Sequence, residues 1–182
     1  MTTMQTLKKI IPVIFLVPFF AFGQEKGEEL IAWSPSRQLT WNDYKGTPDP
    51  NSDAAASTAT YLGIEYKMDN HHLGWKIQCS FSITRSWGRN KSDNVLKHEQ
   101  GHFDIAEIFA RKLNKKMKEY QFNQTTYKSD LPKIYNAITE EKEAFQEQYD
   151  SETDHSRKKE QQAEWEKKIE KMLDELKDYA GY

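Results

Sequence analysis

The spacing of apolar residues along this chain changes near residue 90, from every second position to every third or fourth. Before the change, Thr60 to Met68 puts Leu62, Ile64, Tyr66 and Met68 on one face, and Trp75 to Thr84 alternates likewise, so two strands are expected. The segment Asp69-Asn70-His71-His72-Leu73-Gly74 between them has turn chemistry, which predicts an antiparallel hairpin. After the change, Val95, His98, His102, Ile105, Phe109 and Leu113 recur three or four residues apart. Behind Asn90 or Ser92 as cap, they predict one long helix to about Tyr120. A second helix is expected from about Leu131, with Pro132 in its first turn, to about Tyr149, and a third from about Arg157 to Tyr179. Strands followed by helices predict an α+β fold, a small antiparallel sheet packed on three helices.

The chain has 182 residues, enough for one domain with a sizeable core and too few for two large ones. Its 26 Lys plus Arg against 28 Asp plus Glu provide no basic surplus for nucleic acid, which excludes that class of partner. Residues 1–23 read as an export signal: Lys8 and Lys9 precede the apolar run Ile10 to Phe22, and Ala21 and Gly23 supply small residues before a cleavage point at Gln24. That run of 13 is shorter than the roughly 20 residues of a spanning helix, and Pro12 and Pro18 interrupt it, so no permanent membrane anchor is expected. The mature chain, 24–182, is then a single domain in the periplasm or outside the cell, with 24 basic against 28 acidic residues and a charge of -4. Gln24 to Ser57, rich in Pro, Gly, Asp, Asn and Ser but anchored by Trp33, Leu39, Trp41 and Tyr44, is expected to wrap the core as extended chain. The only cysteine, Cys79, shares a strand face with Ile77 and Phe81 and reads as core filler.

The long helix carries His98-Glu99-Gln100-Gly101-His102, the pattern His-Glu-x-x-His. Residues four apart on a helix differ by about 40° in direction, so both imidazoles leave one face within reach of one ion. Both also continue the apolar stripe, where unpaired imidazoles would cost free energy. These features predict Zn2+ held by His98 and His102. Glu99, adjacent to a ligand but not one itself, is placed to accept a proton from a water whose pKa zinc lowers from about 15.7 to about 7.

A third protein ligand must come from elsewhere, because Asp104 and Glu107 point about 200° and 140° away from His102 on the helix. The metzincin pattern is ruled out, since Ile105 and Ile108 stand where its glycine and third histidine would be. Glu140, Glu141 or Glu143 on the second helix would match a thermolysin-like arrangement. The favoured source is the polar segment Tyr149 to His155, expected to link two helices, whose His155 is the only histidine after the motif. Tyr149 is a candidate donor to a developing oxyanion, with core packing as its alternative. His71 and His72 are expected to be exposed turn residues, and Trp87 to close the core or line a groove.

Four stretches together resemble the bacterial Zn-protease-like proteins long catalogued as a domain of unknown function: Leu39-Thr40-Trp41-Asn42-Asp43-Tyr44-Lys45-Gly46, Ser86-Trp87, Leu96 to Glu107, and Tyr149-Asp150 with Thr153 and His155. The resemblance covers about residues 33 to 180 and implies a secreted, zinc peptidase-like fold with a zincin helix. The chain departs from that pattern at Ser156, where the family usually has glycine. The function expected is zinc-dependent hydrolysis of a peptide or related amide bond in a peptide or protein substrate, with Glu99 and Tyr149 as catalytic residues and His98, His102 and His155 on the metal. The alternative is a non-catalytic, metal-stabilised envelope protein that binds a partner protein through its charged C-terminal helix.

Overall fold

The computed structural model describes residues 28–69 and 72–182; the predicted export signal and His71 lie outside the described residues. Strands β1 (Leu30–Ala32), β3 (Thr60–Asp69) and β4 (His72–Ser82) form an antiparallel sheet in the order β1-β4-β3. Two short strands, β2 (Ala56–Ser57) and β5 (Trp87–Gly88), pair separately as an antiparallel ribbon. Three long helices follow among the described residues, α1 (Asp93–Glu119), α2 (Tyr127–Thr153) and α3 (Lys159–Glu175). The fold is α+β, with the sheet against one side of α1 and the other two helices against its opposite side.

The hairpin register pairs Leu62 with Cys79 and Ile64 with Ile77, which puts the expected apolar residues of both strands on one face. Ile77, Cys79 and Phe81 are buried there, and Phe81 meets Phe103 of α1 with ring centroids 5.9 Å apart. Burial fades along the hairpin: Leu62 is 5% exposed, but Tyr66 is 37% and Met68 43%, because the strands run past the helices that cover them. The turn is also tighter than its composition suggested. Asp69 pairs with His72, so His72 belongs to β4 and not to the turn. Ladder hydrogen bonds close onto the available turn residues, and composition alone does not show how far pairing will propagate.

Helix α1 starts where a cap was expected, with the Ser92 hydroxyl accepting from Val95 N–H. It is buried around nearly its whole circumference. Phe103, Ile105, Ala106, Ile108, Ala110 and Leu113 are all inaccessible to solvent, so the predicted stripe underestimates a helix lying between two layers. The segment before the hairpin packs on its sheet side, where Trp33 Nε1 donates to Asp104 Oδ1 at 2.8 Å and Leu39 N donates to Gln100 Oε1 at 2.8 Å. Trp41 seals this wrap. A Cβ on Gly88 would lie 2.6 Å from its ring, so only glycine allows that approach.

Helices α2 and α3 differ from expectation at their ends. Helix α2 begins a turn before Pro132, with Ser129 and Asp130 N–H donating to the Thr126 carbonyl, and it continues through Thr153, whose hydroxyl bonds back to the Tyr149 carbonyl. Tyr149 and Asp150 therefore lie on a helix. Helix α2 returns antiparallel to α1 and ends beside its first turns, and α3 starts at the same corner. Removing the Phe103 side chain, which sits between the sheet and the helices, should cost about 3–5 kcal/mol. Urea denaturation of Phe103→Ala measures it; a loss below about 1 kcal/mol would show that this layer does not hold the fold together.

Candidate metal centre

At the corner where α1, α2 and α3 meet, three donor atoms form a nearly equilateral triangle. His98 Nε2 lies 3.2 Å from His102 Nε2 and 3.0 Å from Asp150 Oδ1, and His102 Nε2 lies 3.1 Å from the same oxygen. Ligands at 2.0–2.1 Å around a tetrahedral zinc stand about 3.3–3.4 Å apart, so the triangle has nearly the edges of one face of such a site. His155 Nδ1 is 3.4 Å from Asp150 Oδ1, and the ligand atoms of His98, Asp150 and His155 all lie within 4.8 Å of one another.

The protonation of both imidazoles follows from their other nitrogens. Gln162 Nε2 donates to Tyr149 Oη at 2.8 Å, which turns its Oε1 toward His98 Nδ1 at 2.9 Å. Gln146 Nε2 donates to the His102 carbonyl at 3.0 Å, which turns its Oε1 toward His102 Nδ1. Both amide oxygens accept, so each Nδ1 carries a hydrogen and each Nε2 presents a bare lone pair. Two lone pairs and a carboxylate oxygen thus converge within 3.2 Å, which is repulsive unless a cation lies among them. The donor set fits zinc.

The charge balance agrees. Where protons in place of a metal occupy the Nε2 positions, burial opposes ionisation of Asp150, but hydrogen bonds from His102 and His98 and the imidazolium charges outweigh it and hold the carboxyl well below its usual range. Burial also opposes protonation of His102, but the Asp150 hydrogen bond and the Glu99 charge outweigh it and raise this imidazole above its ordinary value. A proton is the simplest cation this site can hold. It competes with a metal.

Glu99 is only 4% exposed, and its Oε2 has no hydrogen-bond partner. It lines a cleft of about 260 Å3 together with His98, His102, Asp150, His155 and the Ser52–Thr58 side of the β2 ribbon. Trp87 also lines this cleft and is at the same time 7% exposed, so it both packs and forms wall.

Tyr149 is placed otherwise than as an oxyanion donor. It is fully buried, its hydroxyl donates to the His98 carbonyl at 3.1 Å and accepts from Gln162, and its ring stacks on His98 at 4.5 Å. Its hydrogen is engaged inside the helix corner, which makes it a positioning residue. The glutamate candidates also fall away: Glu141 pairs with Lys112, Glu143 pairs with Lys142, and Glu140 faces solvent two turns or more before the site. The carboxylate does come from α2, but it is Asp150. Sequence reasoning missed it, as it missed Gln146 and Gln162. A signal was available, because Gln146, Tyr149, Asp150 and Thr153 follow helical spacing and share one face.

An α+β fold with a His-Glu-x-x-His helix and a His/Asp/His group able to hold a metal ion is the class these features define. The chain belongs to a bacterial protein family of unknown function, DUF922, whose model matches residues 23–156. No curated protein and no solved structure matches it. No helix among the described residues is long and apolar enough to cross a membrane.

Two consequences can be measured. A Cβ on Gly101 would stand 2.4 Å from Tyr149 Oη, so Gly101→Ala must displace the ring that supports His98. A loss of about 1–3 kcal/mol in denaturation, with reduced zinc per chain, is expected; unchanged values would mean the ring does not bear on the helix there. The second concerns pH. In metal-free protein the raised His102 contributes stability that is fully present below about pH 6.5 and lost as pH rises through its native value. The melting temperature of metal-free protein should therefore fall as pH rises above about 6.5, and the extra stability conferred by zinc should grow. The fall should be absent in His102→Gln.

Proposed function

We propose that this protein is an exported zinc-dependent hydrolase of peptide or related amide bonds. The observation that carries the reading is the unpartnered, buried Glu99 Oε2 in a cleft beside the triangle of His98, His102 and Asp150. A buried carboxylate oxygen left without a donor is costly, and such groups persist where chemistry uses them. Export is supported by the basic start and apolar run of residues 1–23, which end where the family match begins.

His98, His102 and Asp150 would hold zinc, which when bound supplies Lewis acidity toward a carbonyl and lowers the pKa of a coordinated water to about 7. Gln162 and Gln146 keep each imidazole in the tautomer that leaves Nε2 unprotonated, and Tyr149 and Gly101 fix the seating of the His98 ring. Glu99 Oε2 takes the proton of the attacking water and delivers it to the leaving amine nitrogen. The β2 ribbon and Trp87 wall the cleft in which the amide lies.

The test is Glu99→Gln in the mature chain, with zinc per chain measured by elemental analysis and turnover measured on a library of quenched fluorescent peptides. Zinc should be retained, and turnover should fall about 10²- to 10⁴-fold, the range for removal of a general base. Stoichiometric zinc in wild type without turnover of any peptide or amide would favour the metal-stabilised envelope protein instead. Stoichiometric iron in place of zinc would refute the assignment of the metal.

A further inference from the structure

His155 differs from the other three donors in where it stands and how it is held. His98, His102 and Asp150 project from the interiors of two packed helices. His155 projects from the turn after α2, and its side chain is 60% exposed on the rim of the cleft. Its approach to Asp150 Oδ1, 3.4 Å, is also longer than the 3.0, 3.1 and 3.2 Å separations within the triangle.

The turn itself is unusual. Asp154, His155 and Ser156 all have positive φ, at 48°, 51° and 74°, so three successive residues with side chains occupy the left-handed region. Each bears a steric penalty that glycine would avoid, and such conformations persist only where the surroundings impose them. Those surroundings are visible at both ends. His155 N–H donates to the Asp150 carbonyl at 3.0 Å, Lys158 N–H donates to the Thr153 carbonyl at 2.9 Å, and Asn94 Nδ2 of α1 donates to the Ser156 carbonyl at 2.6 Å. Ser156 is 4% exposed. The turn leaves the imidazole in the wall of the cleft, with Nδ1 3.4 Å from Asp150 Oδ1 and within 4.8 Å of the ligand atom of His98.

We infer that His155 is a displaceable fourth donor, a latch that completes the metal site at rest and must swing out before a carbonyl oxygen or other small ligand can reach the metal. The inference rests on the metal-holding part of the preceding reading and not on hydrolysis. Three donors on rigid helices suffice to keep the ion, so the fourth can leave without loss of metal. The hydrogen bonds that hold the turn do not involve the imidazole, so the ring can leave by side-chain rotation while the backbone stays in place.

The experiment uses the mature chain loaded with Co2+, whose visible absorption reports coordination number, titrated with azide as a probe that requires an open position. Wild type should show the intense absorption of a four-coordinate site and weak azide binding. His155→Asn, which tolerates the left-handed backbone, and His155→Ala should each keep one cobalt per chain and bind azide at least tenfold more tightly. Loss of cobalt from both His155 variants would make the imidazole an obligate ligand and overturn the latch. Unchanged spectra and azide affinity in both would show that it is no donor, which also overturns it. If wild type itself takes up no cobalt or zinc, the metal reading fails along with the latch. If the latch behaves as described while no amide is cleaved, hydrolysis alone fails.

Discussion

Two imidazole nitrogens and a carboxylate oxygen brought within 3.2 Å of one another, with each ring's Nδ1 already engaged by a glutamine, are the constraint on which the rest of this structure depends. Such a cluster is unfavourable by itself, since its lone pairs repel and His98 at its back is buried. Its persistence requires that folding free energy from elsewhere, or a bound cation, offset the repulsion. Much of the surrounding architecture can be understood as the means of holding these atoms in place. Gln162 and Gln146 fix the rings, Tyr149 buttresses one of them, and Gly101 leaves room for the Tyr149 ring against α1. Gly101 comes from α1, Gln146 and Tyr149 from α2 and Gln162 from α3, so the cluster forms only when all three helices dock. Binding of an ion there would therefore be coupled to docking of the helix corner.

The opposite face of α1 is held by a second polar set with a different character. Gln100 accepts from Leu39 N and donates to Asp104, which also accepts from Trp33. Deeper along the helix, Arg111 pairs with Glu107 at 2.8 Å and reaches the Leu173 carbonyl, while the Tyr182 hydroxyl donates to Glu107. Here the buried polar groups named have partners, and the result is a structural network that ties the N-terminal wrap and the C-terminal segment to one helix. The contrast with Glu99 is informative. On the same helix, one face has its carboxylates satisfied, and the other leaves a carboxylate oxygen unpartnered beside a cleft.

How much of this was legible in the sequence depends on the range of the interactions concerned. The hairpin, the cap at Ser92 and the extent of α1 are local matters of period and capping, and they were readable to within about three residues, the start of β4 at His72 being the largest difference. His98, His102 and Glu99 were readable because one helix turn fixes their relation. Asp150 was not, for a specific reason: the polar run Tyr149 to His155 looked like a linker, whereas Thr153 bonding to the Tyr149 carbonyl and docking on α1 extend the helix through it. Tertiary packing overrode composition there. Tyr149 shows the converse limit. Its position in the sequence beside the site was correct, but whether its hydroxyl faced a substrate or the His98 carbonyl depends on which side of α2 packs, and no local pattern encodes that.

The division of donors between helices and turn bears on what the site can do. Helical donors are fixed by packing on several sides, so the triangle of His98, His102 and Asp150 cannot adjust without disturbing the core. A donor on a short turn is held by a few backbone hydrogen bonds, and its conformational penalty opposes those bonds rather than adding to them. A centre built only from helical donors would be rigid and permanently open on its cleft side, whereas one with four helical donors would be closed and purely structural. A fourth donor on a turn held by backbone hydrogen bonds alone would leave its ring free to adopt either state while the turn itself stays fixed.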